Sequence, residues 1–260
     1  MSKTVGTFVI IGILLGVGAA PLFAQDGGNA AANANNPLAN MVAFNVQNYY
    51  MSDLYGTDES ANTAWLRYAR PFGKFLLRAS LPISTMPTPG KVDSTSGLGD
   101  FNAFAAYLMS DESSPVQIGV GPLIAAPTAT EDALGADVWQ AGAAAVYFNA
   151  SSPVVQWGGL LTYQTDFAGD GGDTSLAVLQ PFLFLQLGKG TYLRSASSWV
   201  FDLENDSYSV PLGFGIGKVV QKGTTVFNMF IEPQFTILHD GVGQPEFQIF
   251  TGLNFQFMGG

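Results

Sequence analysis

The chain has no cysteine and one histidine, His239, and only 12% of its 260 residues are charged. The missing cysteine excludes a disulfide framework, thiolate metal sites, a cysteine nucleophile and lipid acylation of an N-terminal cysteine. An ordinary soluble domain is roughly a quarter charged. A chain so poor in charge hides a large core or faces something other than water. Basic residues are also scarce, 10 Lys+Arg against 20 Asp+Glu, for a formal charge of −10. That balance argues against a nucleic-acid partner, which requires basic patches. Helical periodicity is lacking too, since from Pro37 onward no sustained run places apolar residues at i, i+3, i+4 and i+7.

What is present begins with the N-terminus. Lys3 precedes the uncharged apolar run VGTFVIIGILLGVGAAPLF, and Ala24 or Ala20 supplies a small residue for cleavage. Residues 1–24 are therefore expected to be a signal peptide; the competing reading is a membrane-spanning helix, since the run is close to bilayer length. Residues 25–36, QDGGNAAANANN, are expected to form a flexible polar lead segment. Residues 37–260 are then one β-domain.

In that domain side chains alternate with period two, as strands require. Thr251, Leu253, Phe255 and Phe257 share one face, and Gly252, Asn254 and Gln256 the other. Phe227, Met229, Ile231, Phe235 and Ile237 likewise oppose Asn228, Glu232, Gln234 and Thr236. About twelve such runs fall at 40–50, 61–70, 74–84, 99–109, 115–125, 137–148, 153–166, 174–187, 190–201, 207–219, 224–238 and 245–257. Most have the length that a tilted strand needs to cross a bilayer.

The connections alternate as well. Long acidic ones, such as TMPTPGKVDSTSGLG, PTATEDALGA and DLENDS, take turns with short ones such as RPFGK, NASSP and GKG. Arg70, Lys74, Lys189, Lys218 and Lys222 sit at short turns, and Lys91 is the one basic residue placed in a long loop. Outer-membrane barrels have this asymmetry of short periplasmic turns and long outer loops. The expected fold is an all-β, antiparallel up-and-down transmembrane β-barrel of about 12 strands, with a strongly negative outer face. That face is either a solvated rim or a divalent-cation bridge to lipopolysaccharide. No loop has EF-hand spacing, and no cofactor or catalytic group is expected.

Alternation points Asp100, Arg67, Arg78, Arg194 and Glu232 into the lumen. They are expected either to fill the barrel as a salt-bridge network or to form a charged constriction that selects solutes. Phe104, Leu108, Phe182 and Phe184 also face inward, the last two if Gln180 and Gln186 do. Such a lining suits a hydrophobic solute or a packed interior. His239, beside Asp240, is the one residue that keeps an enzyme reading open, as a lipid-modifying outer-membrane barrel.

Two resemblances extend this reading. GLNFQF, followed here by Met258, Gly259 and Gly260, resembles the C-terminal signal read by the barrel-assembly machinery of Gram-negative bacteria. NPLANM, DSTSGLGDFN, GVGPLIAAPTATEDALGADVWQAGAAAV, LQPFLF and VPLGFGIGKV, in that order, resemble a bacterial family described as outer-membrane transporters of the phenol-degradation meta-pathway type. Some members carry a neuromedin label. The resemblance implies a porin-like barrel in the outer membrane, in contact with lipid and lipopolysaccharide, that passes small, hydrophobic or aromatic solutes. The alternatives are a lipid-modifying enzyme and a structural or adhesive barrel without transport.

Overall fold

A computed structural model describes residues 33–88, 93–111 and 113–258; the expected signal peptide and most of the lead segment lie outside them. The chain is 71% strand and forms a closed antiparallel barrel of 12 staves. Fifteen strand segments build them: β1 (Met41–Leu54), β2 (Ala61–Phe72), β3 (Phe75–Pro87), β4 (Ser94–Leu98), β5 (Phe101–Leu108), β6 (Val116–Ala126), β7 (Val138–Asn149), β8 (Val155–Gly169), β9 (Ser175–Gly188), β10 (Thr191–Ser195), β11 (Trp199–Asp202), β12 (Ser207–Gly213), β13 (Gly215–Lys222), β14 (Thr225–Asp240) and β15 (Pro245–Met258). β15 closes the barrel by pairing with both β14 and β1, whose first residue Met41 lies opposite Met258.

Alternation decides which way each side chain points. On β14, Asn228, Phe230, Glu232 and Gln234 are buried, while Met229, Ile231, Phe235 and Ile237 are exposed. On β5, Phe104, Ala106 and Leu108 are buried and Tyr107 is exposed. The outward set from all staves, including Phe44, Val46, Leu77, Ile118, Val120, Ile124, Leu161, Leu183, Leu193 and Ile216, is an apolar surface far larger than a water-soluble monomer tolerates. Closed pairing leaves no open sheet edge along the wall, and backbone groups are satisfied between strands. Those two properties allow β-structure to stand in hydrocarbon.

Three staves are interrupted. The fourth consists of β4 and β5, broken at Gly99 and Asp100; the ninth of β10 and β11, broken at residues 196–198; the tenth of β12 and β13, broken at Phe214. Period-two alternation runs through 190–201 and 207–219 without a break and leaves residues 94–98 in a loop. Two breaks lie against prolines, which cannot donate to a ladder. Residues 196–198 fall between the pairs Leu183–Ser195 and Leu179–Trp199, opposite Pro181. Phe214 donates its N–H to the carbonyl of Pro233 at 3.2 Å.

Candidate functional site

Residues 33–38, the end of the expected lead segment and the start of the domain, run inside the barrel. The Ala34 carbonyl accepts hydrogen bonds from Asn228 Nδ2 at 3.0 Å and Gln256 Nε2 at 2.9 Å. Asn228 Nδ2 also donates to Asn35 Oδ1 at 3.0 Å, and Asn36 Nδ2 donates to Gln117 Oε1 at 2.8 Å. Leu38 is 2% exposed and packs against Leu76, Leu108 and Val146. Ala34 joins Phe148, Phe182, Phe184, Tyr192 and Val226. A segment expected to be free is at its end a lumen plug, because polar side chains facing the barrel axis supply its backbone with partners.

Above the plug lies a cavity of about 170 Å³ at mid-barrel. Arg67 on β2, Arg78 on β3 and Arg194 on β10 all line it, with Phe182, Phe184, Phe230 and Phe250. Each guanidinium rides on a ring: Arg67 lies 4.7 Å from the Trp65 centroid, Arg78 5.5 Å from Phe104 and Arg194 3.5 Å from Phe230. Arg67 also donates to Gln47 Oε1, whose Nε2 donates to Asn254 Oδ1 at 3.0 Å.

The charges do not form one network. Arg194 pairs with Glu232, Nε to Oε2 at 2.6 Å, the one ion pair among the described residues. Glu232 is wholly buried behind that arginine, off the cavity wall. Its Oε1 accepts from Ala196 N at 2.9 Å and Gln234 Nε2 at 2.9 Å, with Ser197 Oγ at 3.4 Å. The carboxylate thus reaches from the eleventh stave across the tenth to the ninth, at the level of both breaks. Gly213 and Gly215 leave it room: a β-carbon on the first would lie 2.3 Å from Glu232 Oε1, and on the second 2.7 Å from Glu232 Cβ.

Asp100 belongs to a different structure. Its Oδ1 accepts from Thr128 N at 3.0 Å and Ala129 N at 3.1 Å, and its Oδ2 from Ala136 N at 2.8 Å. Thr130 N donates to the Leu98 carbonyl, and Leu98 N donates to Thr130 Oγ1. Gly97 pairs with inward-facing Ser84, and a β-carbon there would meet Thr130 Oγ1 at 2.1 Å. The loop at 127–137 therefore folds over the inner side of the fourth stave at the long-loop mouth, latched by the carboxylate of the GLGD stretch. Asp100 does not line the cavity that the three arginines share. We expect Asp100→Asn to leave the barrel heat-modifiable while removing about 1.5–3 kcal/mol from the latch. Limited proteolysis within 127–137, faster in the variant than in the parent, checks it; unchanged cleavage would refute the latch.

His239 stacks on Tyr55 with centroids 3.4 Å apart, tying β14 to the first long loop. No cluster of three or more His, Asp or Glu able to hold a metal occurs among the described residues.

A closed barrel with an apolar outer belt, a polar lumen and a plug defines a membrane-spanning β-barrel. No protein-family model matches the chain, and no curated protein matches it. Among solved structures it is similar to an outer membrane channel from Pseudomonas putida F1, with a TM-score of 0.62 and 12% identity over 84% of this chain and 96% of that one. It is also similar to the NanC porin, at TM-score 0.54 and 11% identity over 83% and 99% of the two chains. The KdgM porin, solved with oligogalacturonate, follows at 0.51 and 8% over 84% and 100%. At these identities the likeness establishes a common fold.

Proposed function

We propose that the chain is an outer-membrane channel for small solutes, hydrophobic or aromatic ones among them, in line with the resemblance to transporters of the phenol-degradation type. The observation that carries this reading is the mid-barrel cavity of about 170 Å³, walled by four phenylalanines and three arginines inside an apolar-belted barrel. A purely structural or adhesive barrel has no need of it. An engineered apolar cavity of about 150 Å³ holds benzene, so the size suits one aromatic ring. The neighbours of similar fold are a channel and porins, not enzymes, and the stacking of His239 on Tyr55 gives that residue a packing role.

The same proposal sets the chain in the outer membrane of a Gram-negative cell, after removal of residues 1–24. Lipid meets the apolar belt, lipopolysaccharide the long-loop end, and the barrel-assembly machinery the last strand. In whole cells, expression of the chain should raise the initial rate of uptake of radiolabelled toluene or benzoate several-fold over an empty vector. Equal rates for both, with the barrel present in the outer-membrane fraction, would overturn the reading.

A further inference from the structure

We propose that the mid-barrel cavity is a binding site for small aromatic anions, with the carboxylate held by Arg67 and Arg78 and the ring against Phe182, Phe184 and Phe230. The inference deepens the channel reading, on which it rests, by naming the charge of the solute.

Three observations converge on it. The first is charge. Of the three arginines on the cavity wall, Arg194 is neutralised by Glu232 at 2.6 Å. Arg67 and Arg78 have no carboxylate within ion-pair distance among the described residues. They stand on neighbouring strands, where Ala69 of β2 lies opposite Arg78 of β3 and Arg67 opposite Asn45 of β1. Two like charges in a poorly hydrated lumen repel each other and are costly to desolvate. An anion between them relieves both terms.

The second observation is unmet hydrogen-bonding capacity. Five buried side-chain polar atoms have no partner among the described residues: Asn35 Nδ2, Asn45 Oδ1, Arg67 Nε, Thr174 Oγ1 and Gln256 Oε1. All but Thr174 belong to residues that line this cavity. Buried polar groups are seldom left unpaired, so their collection around one space marks it as a place built to hold something polar. Arg67 Nε and Asn35 Nδ2 are donors and specify an acceptor such as a carboxylate, whereas Asn45 Oδ1 and Gln256 Oε1 are acceptors that a carboxylate does not satisfy.

The third observation is the opposite wall. Phe182, Phe184 and Phe230 line the same space, with one face of Phe230 under Arg194 at 3.5 Å. Phe182 and Phe184 are 6.0 Å apart and stacked. A ligand with an anionic end and a flat apolar end satisfies both walls; a sugar or an inorganic anion satisfies one.

The test uses the full chain refolded in detergent, with 4-fluorobenzoate as probe and fluorine NMR as readout. The neutral 4-fluorobenzyl alcohol and acetate are comparators. 4-Fluorobenzoate should bind about tenfold tighter than the alcohol, equivalent to about 1.4 kcal/mol, and tighter than acetate. Arg67→Gln and Arg78→Gln should each abolish most of that preference while remaining heat-modifiable, and Arg78→Lys, which keeps the charge, should preserve it. Equal binding of benzoate and alcohol would overturn the proposal, as would no binding of either or insensitivity to both glutamine variants. A barrel that conducts but does not discriminate sinks the anion site alone. One that binds 4-fluorobenzoate but never conducts sinks the channel reading alone.

Discussion

Glu232→Ala is expected to destabilise the refolded barrel by about 3–5 kcal/mol, the range for removing one partner of a buried ion pair. Glu232 is wholly buried, and its two oxygens serve Arg194, Ala196 N, Gln234 and Ser197. Truncation leaves a buried guanidinium without its counter-charge. It also strips Ala196 N of its partner at a place where the ladder between the ninth and tenth staves is interrupted. Urea unfolding in detergent micelles measures the loss. Glu232→Gln should fall between, since an amide oxygen still accepts from Ala196 N. In the double variant Arg194→Ala/Glu232→Ala the cost should be smaller than the sum of the single costs, because no lone charge remains. A single variant within about 0.5 kcal/mol of the parent, the usual size of a surface substitution, would mean that the carboxylate does not bridge the wall.

Freeing the plug should have the largest effect on permeability. Residues 33–38 hold to the lumen by four side-chain hydrogen bonds, to Ala34, Asn35 and Asn36, and by the burial of Leu38. Full burial of a leucine side chain is worth about 1.5–3 kcal/mol. Leu38→Asp combined with Asn228→Ala removes that burial and two of the hydrogen bonds. Proteoliposomes carrying this variant should swell several-fold faster in a small neutral solute such as glycerol than those carrying the parent. Equal rates would show that the constriction lies elsewhere, with the latched loop at 127–137 the next candidate.

The wall was legible in the sequence because period two is imposed directly by the pleat. The run 74–84 starts one residue before β3 at Phe75–Pro87, 115–125 matches β6 at Val116–Ala126, and 245–257 matches β15 at Pro245–Met258. Inward placement of Phe182, Phe184, Arg67, Arg78 and Arg194 followed from the same alternation, and all five line one cavity. What alternation cannot show is which inward residues meet across the lumen. Alternation puts Asp100 on the inner face, but its partners are backbone N–H groups of a loop 28 and more positions away, a contact that no local pattern encodes. Alternation points Glu232 at the lumen, yet it lies off the cavity wall, paired with Arg194 beside breaks in two other staves. The plug left least trace, because NANNPL at 33–38 carries no periodicity; Asn228 and Gln256 on β14 and β15 hold it.

Single-channel recording across a planar bilayer tests the central claim that this barrel is a conducting channel with a removable obstruction. For the parent chain the account predicts rare, small steps, and for Leu38→Asp/Asn228→Ala frequent steps of larger and discrete amplitude. Silence from both chains, each shown to be folded by heat-modifiability, would contradict it.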